Sequence, residues 1–118
     1  MNARQRALRF HAIKIIGCLA CMRNESLGLI RLSACAEIHH LNFGGKAGGK
    51  RLGDASTIGL CSWHHRGQPP FPRMTATQAA KHYGPSLARE SKKFRLLYGE
   101  DAELLKEQDR LIDLEDVA

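Results

Sequence analysis

Cys18-x-x-Cys21 and Cys61-x-x-His64 each place two soft donors on one turn, about forty residues apart. Two such knuckles can converge to complete the tetrahedral shell of a zinc ion. The shell is closed by four protein ligands, so the ion is structural and has no open position for chemistry. Cys35 is the odd cysteine. Its neighbours suggest a strand and a buried free thiol, though it is also able to replace one of the four ligands. Between the knuckles lie Glu37-Ile38-His39-His40, a glycine-rich stretch and Asp54, and His65 directly follows His64. Hydrolysis of a phosphodiester needs a base for water, a cation at the scissile phosphate and a group that orients the base. These residue types supply all three.

The chain that must position them has 118 residues, 43% hydrophobic and 25% charged, which suits one globular domain. Aromatics make up only 6%, so the core is expected to be largely aliphatic and to need a metal staple. Four cysteines in a chain read as cytoplasmic are better taken as metal ligands than as disulfides. No run of 18 apolar residues exists to span a membrane. The apolar run before Cys18 is broken by His11 and Lys14, which argues against a secretory signal.

Charge is uneven. Residues 1–73 hold 11 Lys and Arg against 3 Asp and Glu, whereas residues 74–118 hold 7 against 9. A basic first part of this kind suits a polyanion such as nucleic acid.

Helix signals cover 2–16, with Asn2 as cap, Gly17 as stop, and Leu8, Ala12, Ile15 and Ile16 as the apolar face. The segment Cys18 to Cys21 reads as a tight turn. A strand is expected through 34–41, a flexible basic loop over 44–51 and a second strand near 56–60. A short helix should open at Cys61-Ser62-Trp63-His64-His65. Further helices are expected over 75–83, over 86–98 with Ser86 as cap, and over 100–114 with Leu104, Leu105, Leu111 and Ile112 inward. Neighbouring strand residues face opposite ways, so His39 and His40 can share a site only near a strand end or bend.

The order Cys-x-x-Cys, Glu-x-His-His, glycine-rich loop, Asp, Leu-Cys-x-x-His-His resembles the HNH endonucleases. Within that family it is most similar to the phage recombination-enhancement, RecA-dependent nucleases, which join a Gly-Cys-x-x-Cys knuckle to a Leu-Cys-x-x-His-His-Arg-Gly segment. The resemblance covers roughly residues 8–67 and extends loosely to 94–105. It implies an α+β fold with a ββα-metal (HNH, or His-Me finger) core, a structural zinc knuckle pair and flanking helices. The whole of 1–118 then forms one nuclease domain: a basic helix over 1–17, a zinc and HNH core over 18–67, and C-terminal helices over 74–118.

The resemblance further implies a metal-dependent DNA endonuclease of phage or prophage recombination, leaving 5′-phosphate and 3′-hydroxyl ends. It makes His40 the general base and His39 and His65 the ligands of a catalytic divalent ion, Mg, Mn or Zn. Asp54 takes the middle position and orients His40, a role that Ser56 or Thr57 is also able to fill. His64 stands where many relatives carry a last zinc-binding cysteine. Pro69 replaces a further ligand that many relatives offer. Lys46, Lys50, Arg51 and Arg66 are the expected phosphate contacts. DNA and a RecA-type recombinase filament are the expected partners, in a bacterial host cytoplasm. A non-catalytic zinc module that binds nucleic acid would share the knuckles and the charge, but would not need His40 and Asp54.

Overall fold

The computed structural model describes residues 1–42 and 53–117. The glycine-rich basic loop, with Lys46, Lys50 and Arg51, lies outside the described residues. The order is α1 (Ala3–Ile16), α2 (Leu19–Leu27), β1 (Glu37–His40), β2 (Thr57–Leu60), α3 (Ser62–Arg66), α4 (Ala76–Tyr83), α5 (Ser91–Tyr98) and α6 (Asp101–Val117). The fold is α+β: a two-stranded antiparallel sheet enclosed by helices.

Helix α1 starts and stops where its local chemistry dictates. The Asn2 side chain accepts from Gln5 N, Gln5 reciprocates to Asn2 N, and Gly17 ends the helix at φ 98°. Its buried face differs from the expected one. Ala12 and Ile13 are buried, whereas Leu8 is 61% exposed and Ile15 56% exposed. The helix is rotated because it lies directly on β2. A β-carbon at Gly59 would stand 2.7 Å from Ile13 Cγ2 and 2.9 Å from the Gly17 carbonyl oxygen. Glycine therefore permits this approach, and it is Ile13 that fills the contact.

The first knuckle is more than a turn. Cys18 Sγ accepts from Cys21 N at 3.4 Å and N-caps α2, a helix the sequence reading missed. Cys61 caps α3 in the same way, its Sγ accepting from His64 N at 3.5 Å. A sulfur acceptor thus does the work usually given to Ser or Asp.

Strand β1 is shorter than expected, four residues in place of a run through 34–41. It pairs with β2 in the register Glu37↔Leu60, Ile38↔Gly59, His39↔Ile58 and His40↔Thr57. A ladder cannot outrun its partner, and β2 has only four residues. Upstream, the backbone bonds elsewhere, Leu29 N to Asn24 O and Ile30 N to His82 O. Cys35 lies in that unpaired stretch and is exposed, contrary to the expected buried thiol.

Helix α4 is capped by Thr75, whose hydroxyl accepts from Gln78 N, and stops at Gly84. The next helix begins later than Ser86. Ser86 Oγ accepts from Arg89 N at 3.1 Å, which closes one isolated turn, and α5 then starts at Ser91. The core joins Leu41, Ile58 and Leu60 to Trp63, Tyr83, Phe94, Tyr98 and Leu104. Scarce as they are, aromatics therefore do much of the filling. Trp63 Nε1 donates to Gly84 O at 2.9 Å, so the largest side chain is buried with its polar atom satisfied. Helix α6 reaches back to the sheet, where Gln108 Oε1 accepts from Gly59 N at 2.8 Å.

Candidate metal centre and histidine site

Two separate clusters emerge around the sheet and α3. The first is buried. Cys18, Cys21, Cys61 and His64 offer ligand atoms that all lie within 4.8 Å of one another. The Cys21 and Cys61 sulfurs are 3.7 Å apart, and His64 Nδ1 lies 3.2, 3.5 and 3.6 Å from Cys61, Cys21 and Cys18. Tetrahedral zinc with its usual bond lengths sets sulfurs about 3.8 Å apart and sulfur about 3.6 Å from nitrogen. The donor set fits that ion in size and in chemistry. Cys35 is no part of it.

Electrostatics within the cluster favour a cation. Burial pushes the Cys18 thiol up, while hydrogen bonds from Cys18 and Cys21 hold Cys61 far below the thiol range. Burial pulls His64 down, yet the neighbouring Cys21 and Cys61 sulfurs outweigh it and lift the imidazole to about 9. The sulfurs thus draw positive charge to the centre, which zinc supplies while leaving His64 neutral.

His64 is held from behind. Its Nε2–H donates to Tyr83 O at 2.7 Å, which leaves the unprotonated Nδ1, with its lone pair, facing the sulfurs. The same carbonyl accepts from Asn24 Nδ2 at 2.8 Å, while Tyr98 Oη, 3.0 Å from it, gives its one proton to Asn24 Oδ1 at 2.6 Å. Burial and the nearby sulfurs raise the Tyr98 phenol, so it remains a donor.

The second cluster straddles β1. His40, the last residue of the strand, is bonded through Nε2 to Asp54 Oδ1 at 2.9 Å. Asp54 Oδ2 lies 3.6 Å from Arg6, and the Phe10 ring meets His40 edge-on at 6.2 Å. The His40 hydrogen bond, aided by Arg6, holds the Asp54 carboxyl below the usual range. Asp54, and neither Ser56 nor Thr57, is thus the residue bonded to His40. The Thr57 hydroxyl instead donates to Asp54 O at 2.7 Å.

His39 is turned toward α3. Its ring centroid lies 4.9 Å from that of His65, tilted by 60°. Two imidazoles bound at about 2.1 Å to one cation, roughly at right angles, have centroids about 5 Å apart, so the pair fits a shared ion. Glu37 completes this side and was assigned no role in the sequence reading. Its Oε1 accepts from His65 Nδ1 at 2.9 Å, and both oxygens take the Arg66 guanidinium, at 3.0 and 2.8 Å. These bonds, the one from Arg66 foremost, lower the Glu37 carboxyl. Glu37 and His39 are two apart on one strand, and that alternation was the available signal. Arg66, expected on phosphate, is therefore engaged with Glu37, although its side chain remains 56% exposed.

Residues 2–113 match the family described as recombination enhancement, RecA-dependent nuclease. The chain belongs to that family. No curated protein and no solved structure gives a match. As a member of the recombination-enhancement, RecA-dependent nucleases, the chain carries the histidine cluster and the Cys3His centre well inside the matched span. No helix among the described residues is long and apolar enough to cross a membrane.

Proposed function

We propose that this family member is an HNH-type, divalent-metal-dependent DNA endonuclease that hydrolyses phosphodiester bonds. The supporting observation is the division of labour around β1. His40 is bonded to Asp54, while the adjacent His39 stands beside His65. The sequence β1–β2–α3 then serves as the ββα-metal core.

Because Nε2–H of His40 donates to Asp54, its Nδ1 keeps a lone pair and takes the proton of the attacking water. Asp54 fixes that tautomer and steadies the imidazolium that forms. His39 and His65 hold the divalent ion, with Glu37 directing His65 by accepting from Nδ1 and leaving Nε2 as the ligand atom. Such an ion supplies charge neutralisation at the phosphate and at the leaving 3′ oxygen. Imidazole donors suit Ni or Zn better than Mg, so the histidine pair is expected to bind those ions more tightly. Arg66, Lys46, Lys50 and Arg51 contact phosphates, and Cys18, Cys21, Cys61 and His64 hold structural zinc. The enzyme acts with a RecA-type recombinase on DNA, in phage or prophage recombination within the bacterial cytoplasm.

The test is cleavage of supercoiled, single-stranded and displaced-loop DNA with Mg or Mn, with and without a recombinase filament. Metal-dependent nicking supports the reading. Binding without cleavage under every condition replaces it with a non-catalytic zinc module.

Glu37→Ala is expected to weaken binding of Mn to the histidine pair by ~10–100-fold, as loss of a ligand's orienting partner does. Glu37→Gln keeps an acceptor and should lose less. Titration calorimetry decides this, and an unchanged affinity in both variants removes Glu37 from the metal site.

Replacing Lys46, Lys50 and Arg51 together with Ala should weaken DNA binding alike for unrelated sequences. The log–log salt slope should fall by up to about 3, while turnover at saturating DNA stays the same. An unaltered slope assigns phosphate contact to Arg66 and α1 instead.

A further inference from the structure

The geometry points to Arg9 as a positioning residue for the His40–Asp54 pair, a role that rests on the endonuclease reading above. Arg9 lies in the basic N-terminal helix, where charge alone suggests contact with DNA. Its side chain is only 11% exposed, and all three of its nitrogens donate within the protein. Arg9 Nε donates to Thr57 Oγ1 at 2.9 Å, Nη2 to Thr57 O at 2.6 Å and Nη1 to Asp109 Oδ1 at 2.8 Å.

Thr57 is fully buried and stands opposite His40 across the sheet. Because its hydroxyl oxygen accepts from Arg9, its proton is directed to Asp54 O, 2.7 Å away. The path therefore runs Arg9, Thr57, Asp54, His40, with a hydrogen bond at every step. Two more residues of α1 join it, Arg6 beside the Asp54 carboxylate and Phe10 against the His40 ring. Positions 6, 9 and 10 share one helix face. That face touches the loop residue, the strand residue and the histidine at once.

Arginine suits the task because its rigid fork reaches three acceptors in fixed directions, whereas lysine offers one point of charge. A lysine would keep the helix basic but would not grip both the hydroxyl and the carbonyl of Thr57. Asp109, from α6, balances the charge, so both ends of the chain close over the strand that faces His40.

The experiment is single-turnover cleavage at saturating DNA and Mn, with DNA affinity measured over a salt series. The proteins are wild type, Arg9→Met, Arg9→Lys, Asp54→Ala and the Arg9→Met/Asp54→Ala double variant. Arg9→Met is expected to cut the rate by ~10-fold or more, as sub-ångström misplacement of a catalytic group does, with affinity and salt slope unchanged. Arg9→Lys should not restore the rate. The double variant should be no slower than Asp54→Ala, since both changes break one path.

A salt slope lower by about 1, with rescue by Lys, would make Arg9 a phosphate contact and overturn the proposal. So would full additivity in the double variant, or a wild-type rate in Arg9→Met. If Arg9→Met does not fold, as judged by circular dichroism and zinc content, Thr57→Val takes its place with the same expectations. Wild type and His40→Ala separate the levels. Absence of cleavage by the wild-type protein under every condition sinks the endonuclease assignment, and undiminished cleavage by His40→Ala sinks the assignment of the base. Inactivity of His40→Ala beside a fully active Arg9→Met sinks only the positioning role.

Discussion

His40→Ala is expected to lower the single-turnover rate of DNA cleavage by ~10²–10⁴-fold, the usual contribution of a positioned general base. DNA affinity, zinc content and secondary structure should remain close to wild type. In the proposed role the imidazole acts on the transition state, and its ring is held at the end of β1 by Asp54 and Phe10 without belonging to the buried core. His39→Ala should fail differently. It removes a proposed ligand of the divalent ion, so raising the Mn concentration should recover part of the lost rate, whereas no Mn concentration should rescue His40→Ala. A His40→Ala protein that nicks plasmid at the wild-type rate shows that the base lies elsewhere, and a His40→Ala protein rescued by Mn exchanges the two roles.

The second large effect concerns the Cys3His centre. Cys18→Ser and Cys61→Ser should each lose stoichiometric zinc and unfold, or melt far below the wild-type temperature. The apparent binding free energy of a structural zinc is about 10–16 kcal/mol, comparable to or larger than the whole stability of an ordinary domain, about 5–15 kcal/mol. Each cysteine also caps a helix through its sulfur, so serine must replace an N-cap as well as a ligand. Cys35→Ser is the internal control: exposed and outside the cluster, it should keep one zinc per chain and melt like wild type. Metal content by mass spectrometry and thermal melts by circular dichroism decide the matter. Zinc retained in full by Cys61→Ser would contradict the shell.

What was legible in the sequence was local. The four residues of the Cys3His centre come in two pairs spaced by three residues, and that spacing survives any arrangement of the rest. Asp54 and the histidines were legible as a set, because few residue types suit phosphodiester chemistry and they cluster between the knuckles. The cap at Asn2 and the stop at Gly17 were legible because they depend on the backbone nearby.

Contacts made across long stretches of chain were not legible. Glu37 meets His65 and Arg66 across 28 and 29 residues, and Arg9 meets Thr57 across 48. The buried face of α1 was misread for a related reason. A helical pattern ranks Leu8 and Ile15 with Ala12, but the close approach at Gly59 decides which side turns inward. Cys35 looked like a core thiol because its surroundings suggested a strand, yet among the described residues no strand pairs with that stretch.

The bond from His64 to the Tyr83 carbonyl gives the fourth zinc ligand a meaning beyond its donor strength. A thiolate ends at the metal. An imidazole has a second nitrogen, and here that nitrogen grips the last turn of α4 at the point that Tyr98 of α5 and Asn24 of α2 also hold. A metal held there would therefore join the carboxyl half of the chain in one cooperative unit, and the helices after α3 would have no reason to outlast it. A cysteine at position 64 would preserve the coordination and sever that linkage, turning one melting transition into two.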